Sequence, residues 1–100
     1  MTKLERHAEQ LAALGNPVRL QILRIVVQAG PNGSIVGDIQ SKLGIPWSTL
    51  SHHLDRLTAA DLLEPQPDGR YIHYQAGYTA LRSLTEYLWQ DCCKGGNGCC

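Results

Sequence analysis

Apolar residues recur along this chain at two different periods, and each change of period marks an element. Over residues 3–14, Leu4, Ala8, Leu11, Ala12 and Leu14 fall on one helical face, at the three-and-four spacing of an amphipathic helix. Gly15-Asn16-Pro17 then breaks and restarts the pattern. Glycine suits a helix end, asparagine an N-terminal cap and proline a first helical position. Val18, Leu20, Ile22, Leu23, Ile25, Val26 and Val27 leave the next helix little polar face. It reads as the central buried helix, stopped by Gly30-Pro31-Asn32-Gly33.

Ser34 is placed to cap a third helix carrying Ile35, Ile39 and Leu43, which Gly44 ends. Ile45-Pro46 leads into a fourth, with Trp47, Leu50, Leu54 and Leu57 as inward positions. Two helices joined so tightly form a helix-turn-helix. The period then drops to two: Leu62 to Pro67 and Arg70 to Ala76 flank Asp68-Gly69 as a tight hairpin turn. Thr79 opens a last helix with Leu81, Leu84 and Leu88 on one face, Tyr87 and Trp89 beside it, running into Cys92. The order α-α-α-α-β-β-α is mainly α, with a small β-hairpin.

At 100 residues and 11.0 kDa the chain forms one small domain. Such a domain buries roughly two-thirds of its unfolded surface, so dimerisation adds useful stability. No run approaches the roughly 20 apolar residues needed to cross a bilayer, and Met-Thr-Lys-Leu-Glu-Arg lacks the apolar core of a secretion signal. The expected location is the cytoplasm, where thiols stay reduced. Formal net charge is zero, which lends no support of its own to a nucleic-acid partner.

All four cysteines fall in the last nine residues, as Cys92-Cys93 and Cys99-Cys100 joined by Lys94-Gly95-Gly96-Asn97-Gly98. Thiols crowded on a Gly-rich tail are not core residues. Adjacent cysteines pair poorly with each other, because the small ring strains the bond. The glycines let the outer pair fold back over the inner one, so three or four sulfurs can meet at one soft ion. This divides the chain into residues 1–91, a folded domain, and residues 92–100, a Cys-rich tail.

The fourth helix leaves Ser48, Thr49, Ser51, His52 and His53 off its apolar stripe, in its first two turns. A helix in a major groove reads base edges mainly from its N-terminal half. Short hydroxyls allow close approach, and a neutral imidazole both donates and accepts. Arg70 sits at the hairpin tip, placed to reach a neighbouring groove or phosphate. Taken singly these residues have plainer uses: Ser and Thr cap helices, a lone arginine is a surface charge, Trp47 packs in a core or dimer, and His53 turns inward beside Leu54. Their ordered combination is what points to DNA.

Three stretches carry a family resemblance: Leu14-Gly15-Asn16-Pro17-Val18-Arg19-Leu20-Gln21-Ile22-Leu23, Ser48-Thr49-Leu50-Ser51-His52-His53-Leu54 and Gly69-Arg70-Tyr71-Ile72-His73-Tyr74. In order and spacing over residues 4–91 the chain resembles the ArsR/SmtB family of metal-responsive repressors. That resemblance implies a winged helix-turn-helix homodimer built on the first and last helices, binding a palindromic double-stranded operator and releasing it when an inducer binds. It makes residues 1–91 a winged-helix DNA-binding and dimerisation domain and residues 92–100 an inducer-binding tail, with Trp47, Ser48, Thr49, Ser51, His52, His53 and Arg70 as the expected DNA-binding residues.

The family places inducer ligands at several points. A Cys-x-Cys site on the third helix corresponds here to Ile35 and Gly37, and the Asp/His/Glu site of the last helix finds only Glu86 and Asp91. The tail resembles that of arsenic-sensing members, in which an adjacent Cys pair is joined by a third Cys. Arsenite, As(III), and the related Sb(III) take three thiolates in a pyramid. Cys92, Cys93 and Cys99 are the expected ligands, with Cys100 as alternative, and no organic cofactor is expected. A four-thiolate zinc or cadmium site, an oxidative or persulfide switch and an unliganded tail stay open beside it.

Charge bears on mechanism. Residues 42–75 set Lys42, Arg56 and Arg70 against Asp55, Asp61, Glu64 and Asp68, a net negative segment before its histidines are counted. Operator binding is therefore expected to depend weakly on salt, with support from Arg19, Arg24 or Lys3 and from partial protonation of His52, His53 and His73. A thiol scavenger without DNA binding is the rival outside this class. An enzyme is disfavoured: a nucleophilic Cys wants a helix start and a nearby Arg, and these cysteines have neither.

Overall fold

The computed structural model describes residues 2–96; Met1 and residues 97–100, with Cys99 and Cys100 among them, lie outside the described residues. Helices α1 (Lys3–Leu14), α2 (Pro17–Ala29), α3 (Val36–Leu43), α4 (Trp47–Ala59) and α5 (Tyr78–Trp89) surround a three-stranded antiparallel sheet. Its strands are β1 (Ser34–Ile35), β2 (Leu63–Asp68) and β3 (Tyr71–Ala76), in the order β1-β3-β2. This is the expected winged helix-turn-helix, with one added strand.

That strand corrects the reading of Ser34, which does not cap the third helix. Ser34 and Ile35 pair with Tyr74 and His73 of β3, and α3 starts at Val36 without a side-chain cap. The hairpin turn also moves by one residue. Asp68 pairs with Tyr71, leaving Gly69-Arg70 as the two-residue loop, with Gly69 at φ +61°. A glycine in the first central position is what a type II′ hairpin turn requires. Pro65 and Pro67 are tolerated because β2 is an edge strand.

Caps set the helix boundaries. Asn16 accepts from the backbone N–H groups of Val18 (2.9 Å) and Arg19 (3.1 Å), with Pro17 in the first turn, as the sequence predicts. Thr2 and Glu5 form a reciprocal capping box on α1. Ile22, Leu23 and Val26 of α2 meet Ile39 of α3, Leu50, Leu54 and Leu57 of α4, and Leu62, Leu63 and Ala76 of the wing root in one buried core.

α1 turns its apolar face outward, the side left for the expected dimer of first and last helices. Leu4 and Leu11 are exposed, as are Ala8 and Ala12, while His7, Gln10 and Ala13 are buried. The reason is polar. Gln10 donates through Nε2 to the carbonyl of Ala60 (3.1 Å) and accepts at Oε1 opposite His7 Nδ1 (2.9 Å), tying α1 to the end of α4. Arg6 adds an ion pair to Asp61. The apolar stripe of α1 is thereby turned outward. The far end of α5 behaves likewise: Leu84 is buried, whereas Leu88 and Trp89 are exposed.

Candidate DNA interface and thiol turn

The turn between α3 and α4 aims the recognition helix. Gly44 closes α3 in the left-handed conformation (φ +66°), its N–H donating to the carbonyl of Gln40 at 2.8 Å. Gln40 Nε2 in turn donates to the carbonyl of Ile45 (3.3 Å), fixing the approach to Pro46. Pro46 stands at the N-cap and offers no side-chain acceptor. The first-turn N–H groups of α4 are thus left for water or a phosphate oxygen.

From that start, Leu50, Leu54 and Leu57 bury themselves while Ser48, Thr49 and His52 stand exposed and Ser51 is half-buried. Two expected positions change. Trp47 leaves the inward stripe that its spacing predicts and is 53% exposed, open on the face expected to meet DNA, because the first residue of a helix lies ahead of the turn that packs on the core. His53, assigned to the DNA face, is buried. Its Nδ1 lies 3.4 Å from Arg19 Nη1, and Arg19 Nε donates to the carbonyl of Ala13 at 2.6 Å. Burial first, then the Arg19 and His52 charges, holds the His53 imidazole below its ordinary pKa. His53 therefore positions α4 from behind, and Arg19 is engaged in the fold, which leaves Arg24 and Lys3 as the supporting cations expected for phosphate.

Arg70 is exposed at the wing tip. It lines one cleft with Trp47, Tyr71 and Ile72, so the wing and the start of α4 share a surface. Tyr71 and Ile72 were missed in the sequence; consecutive exposed apolar residues in a strand of period two were the available signal. Across the wing, His73 Nε2 lies 3.6 Å from the Asp68 carboxylate.

The tail differs from its expected form. α5 ends at Trp89, so Cys92 and Cys93 follow the helix in a turn and do not continue it. Cys92 N–H donates to the Trp89 carbonyl (2.9 Å) and Lys94 N–H to that of Asp91 (3.0 Å). Asp91 (φ +57°) and Cys93 (φ +66°) both adopt the left-handed region, which side-chain-bearing residues enter at a cost. This alternation brings the Cys92 and Cys93 sulfurs to 3.4 Å. That is far beyond the ~2.05 Å of a bond between the two. Cys92 is exposed and Cys93 half-buried. Among the described residues no three His, Cys, Asp or Glu side chains converge to hold a metal ion. No helix among them is long and apolar enough to cross a membrane.

Comparison with known proteins agrees with this architecture. Residues 14–66, which span α2 to the wing, match the family described as a helix-turn-helix domain. An uncharacterised HTH-type transcriptional regulator of Methanocaldococcus jannaschii is 37% identical over 75 residues, covering 74% of this chain and 81% of that protein. A candidate arsenical resistance operon repressor of Halobacterium salinarum is 36% identical over 72 residues, 72% of this chain and 55% of its own length. The solution structure of a homodimeric winged helix-turn-helix DNA-binding domain from Mycobacterium bovis, a candidate ArsR-family regulator, superposes with a TM-score of 0.71. It is 27% identical, over 85% of this chain and 77% of that one. These relatives are regulators rather than enzymes, and the chain belongs with them to the helix-turn-helix domain family, as a winged-helix transcriptional regulator of the ArsR type.

Proposed function

We propose that the chain is a cytoplasmic homodimeric repressor that releases its operator when trivalent arsenic, or antimony, is bound by C-terminal thiolates. The observation that carries this reading is the turn after α5, which brings two adjacent sulfurs to 3.4 Å. A pyramidal three-sulfur centre draws its ligands together. Tetrahedral zinc, with Zn–S about 2.3 Å, sets sulfurs about 3.8 Å apart. Cys92 and Cys93 supply two thiolates, and the third falls to Cys99 or Cys100. Soft, thiolate-only donor sets select thiophilic ions over hard ones.

The route to DNA runs through the dimer. Leu4 and Leu11 of α1 and Leu88 and Trp89 of α5 present exposed apolar surface, suited to a second copy. The homodimeric Mycobacterium bovis domain supports the same assembly. Ligation at residues 92–93 sits a few residues beyond Trp89, so it acts on the end of the interface that sets the spacing of the two recognition helices. A hundredfold loss of operator affinity needs roughly 2.7 kcal/mol of differential binding between the two states. The test is to titrate arsenite, zinc and cadmium in parallel against the reduced protein on its own promoter DNA. Release by arsenite at stoichiometric concentration is expected. Retention of DNA at saturating arsenite overturns the reading.

A second reading keeps the repressor and makes the switch oxidative, an inner cysteine pairing with an outer one; the exposure of Cys92 beyond the core favours it. Peroxide without metalloid then releases the DNA, and arsenite under reducing conditions does not.

A further inference from the structure

The segment that carries the recognition helix and the wing is poor in cations and presents exposed apolar surface. Over residues 42–75 it has only three basic side chains (Lys42, Arg56 and Arg70) against Asp55, Asp61, Glu64 and Asp68, of which Asp61 is taken up by Arg6 of α1. Yet Trp47, Tyr71 at 60% exposure and Ile72 at 42% line, with Ile35, Val36 and Arg70, a cleft of about 250 Å³ between the start of α4, the start of α3 and the tip half of the wing. The core is complete without these three side chains. Clustered exposed aromatics mark a surface that another molecule covers.

The position of the cleft says what covers it. When the N-terminal half of α4 lies in a major groove and the wing reaches the neighbouring minor groove, the ridge between them is one sugar–phosphate strand. The cleft is continuous with both reading elements, since Trp47 is the first residue of α4 and Arg70 the wing tip. Deoxyribose presents C–H surface that suits Trp47, Tyr71 and Ile72, and the Arg70 guanidinium at the same cleft suits the adjoining phosphate.

We infer that this cleft seats the deoxyribose–phosphate backbone and supplies an apolar, salt-insensitive and sequence-independent share of DNA affinity. The inference rests on the DNA-binding part of the proposed function. It explains how a neutral chain with few phosphate-directed cations holds DNA. Contacts to sugars carry no sequence information, so their loss weakens every duplex alike.

The test measures binding by fluorescence anisotropy across a salt series. The probes are a duplex that the wild-type protein selects from a randomised pool and a scrambled duplex of the same composition. Trp47→Ala and Tyr71→Ala are each expected to weaken both duplexes by the same factor, roughly tenfold for one aromatic side chain's burial. The log–log salt slope stays unchanged, and Trp47→Phe restores most of the affinity. Ribose in place of deoxyribose along the strand facing the wing weakens the wild type and not Trp47→Ala. Both side chains are exposed, so circular dichroism is expected to show intact folds. Affinities within twofold of wild type on both duplexes overturn the inference. So does a loss confined to the selected duplex, which makes Trp47 a base reader, or a change of oligomeric state, which makes the cleft a contact between copies. Wild-type protein that binds neither duplex overturns the DNA reading itself, and the inference with it.

Discussion

Arg19 Nη1 lies 3.4 Å from His53 Nδ1, and this contact joins the central helix to the back of the recognition helix. Arg19 is held in turn by the Ala13 carbonyl, so α1, α2 and α4 are registered through one guanidinium. The contact requires a neutral imidazole, whose ring nitrogen accepts from the cation.

Stability is expected to fall on acidification through this histidine. Its folded pKa is depressed by burial, with Arg19 and His52 adding to the effect. Above the unfolded value of about 6.5 both states hold it neutral and the contribution is complete. As pH drops from there toward the folded pKa, the unfolded chain takes up a proton that the folded one refuses, and stability declines. Below the folded pKa the decline stops. Thermal unfolding followed between neutral and mildly acidic pH should show a steeper loss of Tm for wild type than for His53→Gln. Parallel curves would remove His53 from the account.

Gly77 is expected to tolerate no side chain. A Cβ built there lies 1.9 Å from the Asp61 carbonyl oxygen and 3.0 Å from its carbon. The Gly77 N–H also donates to the Leu62 carbonyl at 2.9 Å, clamping the start of α5 to the entry of the wing. Relief requires backbone movement, so Gly77→Ala should cost about 2–4 kcal/mol. Urea unfolding measures it. A cost under about 0.5 kcal/mol, the range of ordinary surface changes, would show that the clamp yields freely.

What the sequence made legible, and what it hid, follows from the physics of each segment. Leu50, Leu54 and Leu57 repeat at helical spacing, so the polar face of α4 with Ser48, Thr49 and His52 could be read directly. Trp47 was misplaced because periodicity extrapolates a stripe past the first turn, where nothing packs. β1 is two residues long, too short for a period, and exists only because β3 offers it partners. In α1 the pattern identified a face of leucines without saying whether it meets its own core or another copy. Gln10 and His7, polar and therefore unremarked, decide that question by bonding inward. The thiol pair was evident from spacing alone. Its left-handed turn was not: aspartate enters positive φ more readily than most residues, but cysteine does not, and nothing in the spacing announces the turn at Cys93.

The outward stripe of α1 leads to a prediction about assembly. Leu4, Leu11, Leu88 and Trp89 are exposed on the first and last helices. Each leucine buried in a dimer contributes about 1.5–3 kcal/mol, and a symmetric interface uses it twice. Leu11→Glu should therefore raise the dimer dissociation constant at least about a hundredfold while leaving the monomer folded. It should also weaken operator binding, because half-sites are read in pairs. Sedimentation velocity against circular dichroism separates the two effects. An intact Leu11→Glu dimer would place the interface elsewhere.

The thiol turn yields the most direct prediction about signalling. Cys92→Ser and Cys93→Ser each remove one sulfur without touching the core, since Cys92 is exposed and Cys93 only half-buried beyond the end of α5. Both variants should bind operator within about twofold of wild type, an exposed-site change costing no more than about 0.5 kcal/mol. Both should also lose arsenite-driven release, because a centre closed by one inner thiolate and the two outer ones, Cys99 and Cys100, no longer draws on the paired sulfurs that tie it to the end of α5. Asp91→Gly makes a different cut through the same device. It keeps both sulfurs and removes the side chain that resists φ +57°, so the turn forms at less cost and arsenite is bound at least as tightly. X-ray absorption of the reduced protein should count three As–S bonds per protomer in wild type and Asp91→Gly. If Cys93→Ser still surrenders its DNA to arsenite, the effector acts at some other place on the chain.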